Sequence, residues 1–320
     1  LAIVAGIDEA GYGPMLGPLV VSGVALQVPD DDVDGCLWSR LRASVAPRAG
    51  RREWRLPILD SKKLYTRQGG LGALERTAMT ALRVGRVEAR SLRDLLRGVA
   101  PHVLEQLEAY PWYHGFDVDL PVATEAAVIG TQANALRRDA REHAVDFARV
   151  LAEPLLEGHF NRLVNKTRNK AVVLLGLVFR IIGEVIRMAG DQPVRILVDR
   201  HGGRVHYVAP LLTAFERYDL QVLEETPTRS AYALRRRQTD VRLEFVTSGE
   251  DRHLPIALAS ILSKYLRELF MIGLNRYWQG RVAGLKPTAG YYTDGQRFVT
   301  DIGSALGAAG VDRRLLVRSR

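Results

Sequence analysis

Residues 6–14 read GIDEAGYGP: the adjacent acids Asp8 and Glu9 close an apolar run and are followed by Gly11, Gly13 and Pro14. The run before them, AIVAGID (2–8), and the run after Gly17, PLVVSGVALQV (18–28), are apolar and rich in β-branched residues. The pattern predicts two strands joined by a glycine-rich turn, with the acids at the tip of the first. Neighbouring side chains on a strand point to opposite faces, so both acids reach one site only if the pleat breaks, which Ala10-Gly11 permits. Two buried like charges are costly unless a cation lies between them. The stretch is therefore either a metal or substrate site, or a solvated strand end leading into a turn.

Working outward, VRILVD (194–199) is a continuous apolar run ending in Asp199, the pattern of a strand buried on both faces. AYALRRRQTDVRLEFVT (231–247) reads as two strands around the basic turn Arg235-Arg236-Arg237, either a phosphate contact or a solvated turn. Residues 219–224 read as extended, and GRVEARSL (85–92) as a further strand. Helical spacing recurs over 69–83, 132–160, 166–189 and 207–217, and most strongly over 254–278, which reads as amphipathic. Residues 100–135 carry three prolines and Tyr110, Trp112, Tyr113 and Phe116 without a clean period. Those aromatics form either a satellite core or a base-stacking platform.

The fold class expected from this order is α/β, a mixed sheet flanked by helices. The 320 residues, 47% of them hydrophobic, suffice for a large core. We expect one domain over 1–320, with a mainly helical insertion at 85–160 and a C-terminal helical part at 254–320. The single cysteine, Cys36, excludes an internal disulfide framework and a cysteine-cluster zinc site, and fits a reducing, cytoplasmic setting. The longest apolar stretch, AVVLLGLVFRIIGEVI, is interrupted by Arg180 and Glu184, so it reads as a core helix and no membrane partner is expected. The net charge is +9, and only six of the 45 basic residues are lysine. Guanidinium forks pair bidentately with phosphate oxygens, so an arginine-rich surface suits a nucleic-acid partner, although genome composition explains it equally.

Acids stand at three element ends: Asp8-Glu9, Asp199, and Glu250-Asp251 before the 254–278 helix. Singly, each is an ordinary turn residue or cap. Together, carboxylates from distant parts of the chain with no His or Cys among them suit hard, oxygen-preferring cations. Two Mg2+ or Mn2+ ions so held can activate a water and stabilise the leaving oxygen of a phosphodiester.

GIDEAGYGPMLGPLVVSGV resembles the opening of the type 2 ribonucleases H, whose pattern is close to GIDEAGRGPLAGPVV. Three further segments follow in the family's order. LDSKKLYTR resembles its D-S-K-K-L segment, DRHLPIALASILSKYLRELFM its D-x-x-x-P, A-S-I-x-A-K and R-D run, and AGYYTDGQRF its late G-Y-G-T segment. RILVDRHG fits the strand that carries the third acid. The resemblance covers residues 1–66 and about 165–320. It implies a ribonuclease H-like fold and metal-dependent hydrolysis of the RNA strand of RNA:DNA hybrids, or of ribonucleotides embedded in duplex DNA; separately, we expect a monomer. It implies Asp8, Glu9, Asp199 and Asp251 as the catalytic, metal-holding acids, with substrate contacts from Gly11, Tyr12, Gly13, Lys62, Lys63, Lys264 and Tyr291.

Two departures bear on this. The family's G-R-G is Gly11-Tyr12-Gly13 here, which removes a cation from the substrate loop. Between Pro255 and Ser260 the segment is one residue shorter than the family pattern, so counting back from Ala259-Ser260 gives Glu250, while the D-x-x-x-P match gives Asp251, the expectation adopted. The competing functional classes are a nucleic-acid-binding protein of the same fold with weak catalysis, and a related nuclease acting on DNA.

Overall fold

The structure, a computed structural model, describes residues 1–50, 53–65, 70–200 and 202–319. Thr66 and Arg67 of the LDSKKLYTR segment, Gly69 at the expected start of a helix, and His201 of RILVDRHG lie outside the described residues. A seven-stranded sheet forms the centre. Its strands are β1 (Ala2–Ala10), β2 (Leu19–Val28), β3 (Asp146–Leu155), β4 (Val194–Asp199), β5 (Asp219–Glu225), β6 (Arg229–Arg236) and β7 (Thr239–Val246). They lie in the order β3-β2-β1-β4-β7-β6-β5. β1, β4 and β7 run parallel, and every other neighbour is antiparallel. The mixed sheet agrees with the fold class expected.

The helices that flank it are α1 (Gly72–Val84), α2 (Leu92–Val99), α3 (Ala126–Glu142), α4 (Glu157–Thr167), α5 (Lys170–Ala189), α6 (Val208–Ala214), α7 (Leu254–Gln279) and α8 (Tyr292–Asp301). Period-2 alternation on β1 divides the core. Ile3, Ala5 and Ile7 pack against Val178, Ile181, Ile182 and Val185 of α5, while Val4 faces the α7 side. The apolar run expected to be a core helix is α5, started by the Asn169 side chain accepting the Ala171 N–H at 2.9 Å. Among the described residues no helix is long and apolar enough to cross a membrane.

Gly6 lets α7 lie across β1, since a Cβ there would sit 2.1 Å from the Pro255 carbonyl carbon. α7 is not the one-sided helix the sequence suggests: 20 of its 26 residues are buried. Its outer side is covered by residues of 72–145. Trp112 packs 6.3 Å from Trp278 and Tyr113 5.1 Å from Phe270, between ring centroids. The Tyr265 hydroxyl donates to Glu75 at 2.9 Å, and the same carboxylate accepts the Val122 and Ala123 N–H groups at 2.6 Å each. Tyr110, Trp112 and Tyr113 are buried, so these aromatics are core rather than a stacking platform.

Two local expectations are corrected. Residues 85–92 form no strand: Ser91 caps α2 by accepting the Asp94 N–H, with one isolated bridge to Asp119. The helical spacing read over 132–160 breaks at Glu142, and Asp146–Leu155 is an edge strand of the main sheet, within the stretch expected to be a helical insertion. The Arg235-Arg236-Arg237 turn joins β6 to β7 at the end of the sheet opposite Asp199, which pairs with Val246. Seven residue steps along β7 put it roughly 23 Å away from Asp199.

Candidate active site

β1 and β4 run parallel with their carboxyl ends level, so Asp8 and Asp199 emerge side by side. The β1–β2 ladder stays regular through Ala10↔Val20. The pleat therefore does not break between the two acids, contrary to expectation. The chain turns only at Gly11, φ +89°, and the cleft lies over the strand end where both faces border it. The third contribution comes from the 3-10 turn Gly249–Asp251 ahead of α7, whose Gly249 N–H donates to Asp199 Oδ1 at 2.8 Å.

These elements enclose a cleft of about 220 Å3 lined by Asp8, Glu9, Asp199 and Glu250. Gly11, Tyr12, Gly13, Lys62, Lys264 and Tyr291 also line it, so nine of the eleven residues singled out in the sequence meet here. The other two, Asp251 and Lys63, do not line it: Lys63 Nζ bonds Asp251 Oδ1 at 2.6 Å and both side chains are about half exposed. Glu250 stands where Asp251 was expected. In a 3-10 turn successive side chains diverge by about 120°, so only one of two adjacent acids can face the cleft.

Burial raises the Asp8 carboxyl well above its ordinary value, and Glu9 and Asp199 add to the rise. Burial likewise pushes Asp199 up to about 7; the Gly249 N–H opposes this, while Glu250 and Glu9 reinforce it. Glu250 Oε2 is buried with no hydrogen-bond partner among the described residues. Burial alone would lower the Lys62 ammonium, but Asp60, Glu250, Asp8 and Asp199 hold it above its ordinary value. Among the described residues no group of three or more His, Cys, Asp or Glu side chains is arranged to hold a metal ion as it stands. The donor set nevertheless fits a hard divalent cation: four carboxylates, an orphaned carboxylate oxygen, and charge repulsion that a cation would relieve.

Several residues that the sequence did not single out support the cleft. The Ser260 hydroxyl opposes the rise at Asp8 and lies 3.0 Å from the Ser61 hydroxyl, and the Ser263 hydroxyl donates to the Asp8 carbonyl at 2.9 Å. Their signal was the i, i+3 spacing on α7, which puts both on one face. Lys264 is mostly buried rather than on a solvated face; its Nζ bonds Glu268 at 2.7 Å and lies 4.6 Å from the Tyr65 ring centroid. Arg267, 1% exposed, donates to the carbonyls of Leu16 and Ala289 and sits 5.9 Å from the Tyr291 ring centroid. The Gly290 carbonyl accepts the N–H groups of Met15 and Leu16, tying the late segment to the first loop. Lys170 Nζ at the start of α5 lies 5.0 Å from the Tyr12 ring centroid. Gly11 and Gly13 differ in kind. A Cβ on Gly11 would meet the Pro18 carbonyl at 2.5 Å, whereas Gly13 faces open space.

No family model matches the chain, and no curated protein matches it. Similar solved structures include ribonuclease HII of Archaeoglobus fulgidus in its PCNA complex, at 17% identity and TM-score 0.47, covering 99% of this chain and 94% of that one. Bst-RNase HIII in complex with Mn2+ is similar at 13% identity and TM-score 0.44, covering 99% and 66%. Ribonuclease H2 of Pyrococcus horikoshii OT3 is similar at 12% identity and TM-score 0.40, covering 98% and 92%. At these identities the likeness is one of fold alone.

Proposed function

We propose that this chain is a divalent-metal-dependent endonuclease of the ribonuclease H type. Its substrate is the RNA strand of an RNA:DNA hybrid, or a ribonucleotide embedded in duplex DNA. The observation that carries the reading is the meeting of Asp8, Glu9, Asp199 and Glu250 with the glycine loop and Tyr291 around one cleft. Those four acids would hold Mg2+ or Mn2+, ions that when bound lower the pKa of a water and stabilise charge on the leaving oxygen of a phosphodiester.

The chain's own residues position the duplex and the acids. The Ser263 hydroxyl holds Asp8 by its carbonyl, and the Glu9 N–H donates to its carboxylate at 2.7 Å. Lys62 is a point charge on the cleft wall that suits a phosphate oxygen. Gly13 leaves room for a sugar-phosphate backbone to approach the main chain. Tyr291, 55% exposed, offers a ring face to the nucleotide, with Arg267 behind it.

The test is cleavage of three end-labelled duplexes with Mg2+ or Mn2+: an RNA:DNA hybrid, a DNA duplex with one ribonucleotide, and all-DNA. Cutting confined to ribonucleotides, and lost in Asp8→Asn and Asp199→Asn, is the expected result. Equal cutting of all-DNA would make it a nuclease of another substrate class. Binding without cutting would make it a nucleic-acid-binding protein.

A further inference from the structure

Beneath the glycine loop lies a residue that does not line the cleft. Arg318 is 4% exposed. Its guanidinium donates from Nη1 to the Gly11 carbonyl and from Nη2 to the Tyr12 carbonyl at 3.2 Å, and lies 4.1 Å from the Phe160 ring centroid. Its own N–H donates to the Met15 carbonyl at 2.9 Å. The segment around it is latched to α4. Asn161 Nδ2 donates to the carbonyls of Arg314 and Val317 at 2.7 and 2.8 Å, and Asn161 Oδ1 accepts the Ser319 N–H at 2.6 Å.

Drawing two successive carbonyls to one guanidinium fixes two peptide planes. In a trans peptide the C=O and the following N–H point in opposite directions. The Tyr12 and Gly13 N–H groups are therefore aimed away from Arg318, and neither has a hydrogen-bond acceptor among the described residues. Adjacent N–H groups presented from a loop with positive φ form an anion-binding concavity, here at residues that line the cleft.

We propose that Arg318 is a positioning residue. By holding the carbonyls of Gly11 and Tyr12 it presents the Tyr12 and Gly13 N–H groups to a backbone phosphate of the nucleic acid, which makes Arg313–Ser319 a working part of the site. The inference rests on the nucleic-acid reading above. It supplies from beneath the loop, as geometry, what the loop lacks as a side-chain cation. Burial lowers the Arg318 guanidinium to about 9, and Arg267 nearby adds to this, while Glu157 opposes it. A single ammonium cannot span both carbonyls as the guanidinium fork does.

The test compares the unmodified chain with Arg318→Lys and Arg318→Ala, and with Arg237→Ala as a control at the far end of the sheet. Affinity for a fluorescein-labelled RNA:DNA hybrid is read by anisotropy in EDTA, alongside melting temperature and hydrogen exchange over Gly11–Leu16. Arg318→Lys should bind about tenfold more weakly, with faster exchange in the loop and a melting temperature close to the unmodified chain. Arg237→Ala should bind normally. Unchanged affinity or unchanged loop exchange in Arg318→Lys overturns the inference, and so does a global loss of stability that accounts for the weaker binding. If the unmodified chain binds no duplex, the nucleic-acid reading itself falls, a result distinct from one seen only in the variants.

Discussion

Asp199 shows how one buried residue of the cleft makes stability depend on pH. Its carboxyl is raised from 3.8 to about 7, first by burial, so the folded state prefers it protonated. The associated stability is present below about pH 4 and lost as pH rises through about 7. Asp199→Asn keeps an acceptor for the Gly249 N–H and cannot ionise. In EDTA its melting temperature should match that of the unmodified chain near about pH 4 and exceed it by about 2–6 °C near about pH 8, with saturating Mg2+ removing the difference. Thermal melts across that pH range check this; an Asn variant less stable at high pH would contradict it. The acids themselves were legible in the sequence because they stand at element ends. The choice of Glu250 over Asp251 was not, because spacing does not record the phase of a 3-10 turn. Arg318 carried no local signal at all: its partners lie about 300 positions away in sequence.

At the scale of elements, the β1–α7 crossing sets where the acids go. α7 follows directly on the Glu250 turn and reaches Asp8 through Ser260 and Ser263, so any displacement of α7 from Gly6 moves the cleft. Gly6→Ala places a methyl group against Pro255 backbone atoms that cannot yield as a flexible side chain would. It should cost about 1–3 kcal/mol, read as a lower denaturant midpoint at unchanged slope. Wild-type stability would show that α7 does not lie this close. The strands and long helices were readable from periodicity, and the failures have physical causes. β3 was masked because it follows directly on the helical pattern of α3, and its alternating burial, visible once it pairs with β2, competes with that period in a short window. α7 carries polar residues such as Tyr265, Arg267 and Glu268 that mimic a solvated face, yet the Tyr265 hydroxyl meets Glu75 and Arg267 meets loop carbonyls inside the protein.

Across the whole molecule, the sheet separates two apolar layers, and the segment between α1 and β3 completes one of them by covering α7. Trp112 sits in that layer against Trp278, so Trp112→Ala should cost about 3–5 kcal/mol and shift one cooperative calorimetric transition downward. A separate early transition would instead show the covering segment unfolding alone. The length of this segment was visible in the sequence, but its use was not, since aromatics without a clean period fit a core and a stacking platform equally. Charge distribution makes a further distinction. The Arg235-Arg236-Arg237 turn lies at the end of the sheet away from the acids, so replacing all three with alanine should leave affinity for the hybrid within about twofold and its salt dependence unchanged. A large loss of affinity would mean that the duplex follows a path around the sheet edge rather than along the cleft.

The most direct test of the four-acid cleft is a single comparison of Glu250→Gln with Asp251→Asn. Cleavage of a DNA duplex carrying one ribonucleotide, and of its all-DNA counterpart, would be followed with Mg2+, with Mn2+ and with EDTA. The cleft geometry predicts metal-dependent cutting at the ribonucleotide by the unmodified chain, a loss of at least about 100-fold in Glu250→Gln, and near-normal cutting in Asp251→Asn. Full activity in Glu250→Gln together with loss in Asp251→Asn would contradict it.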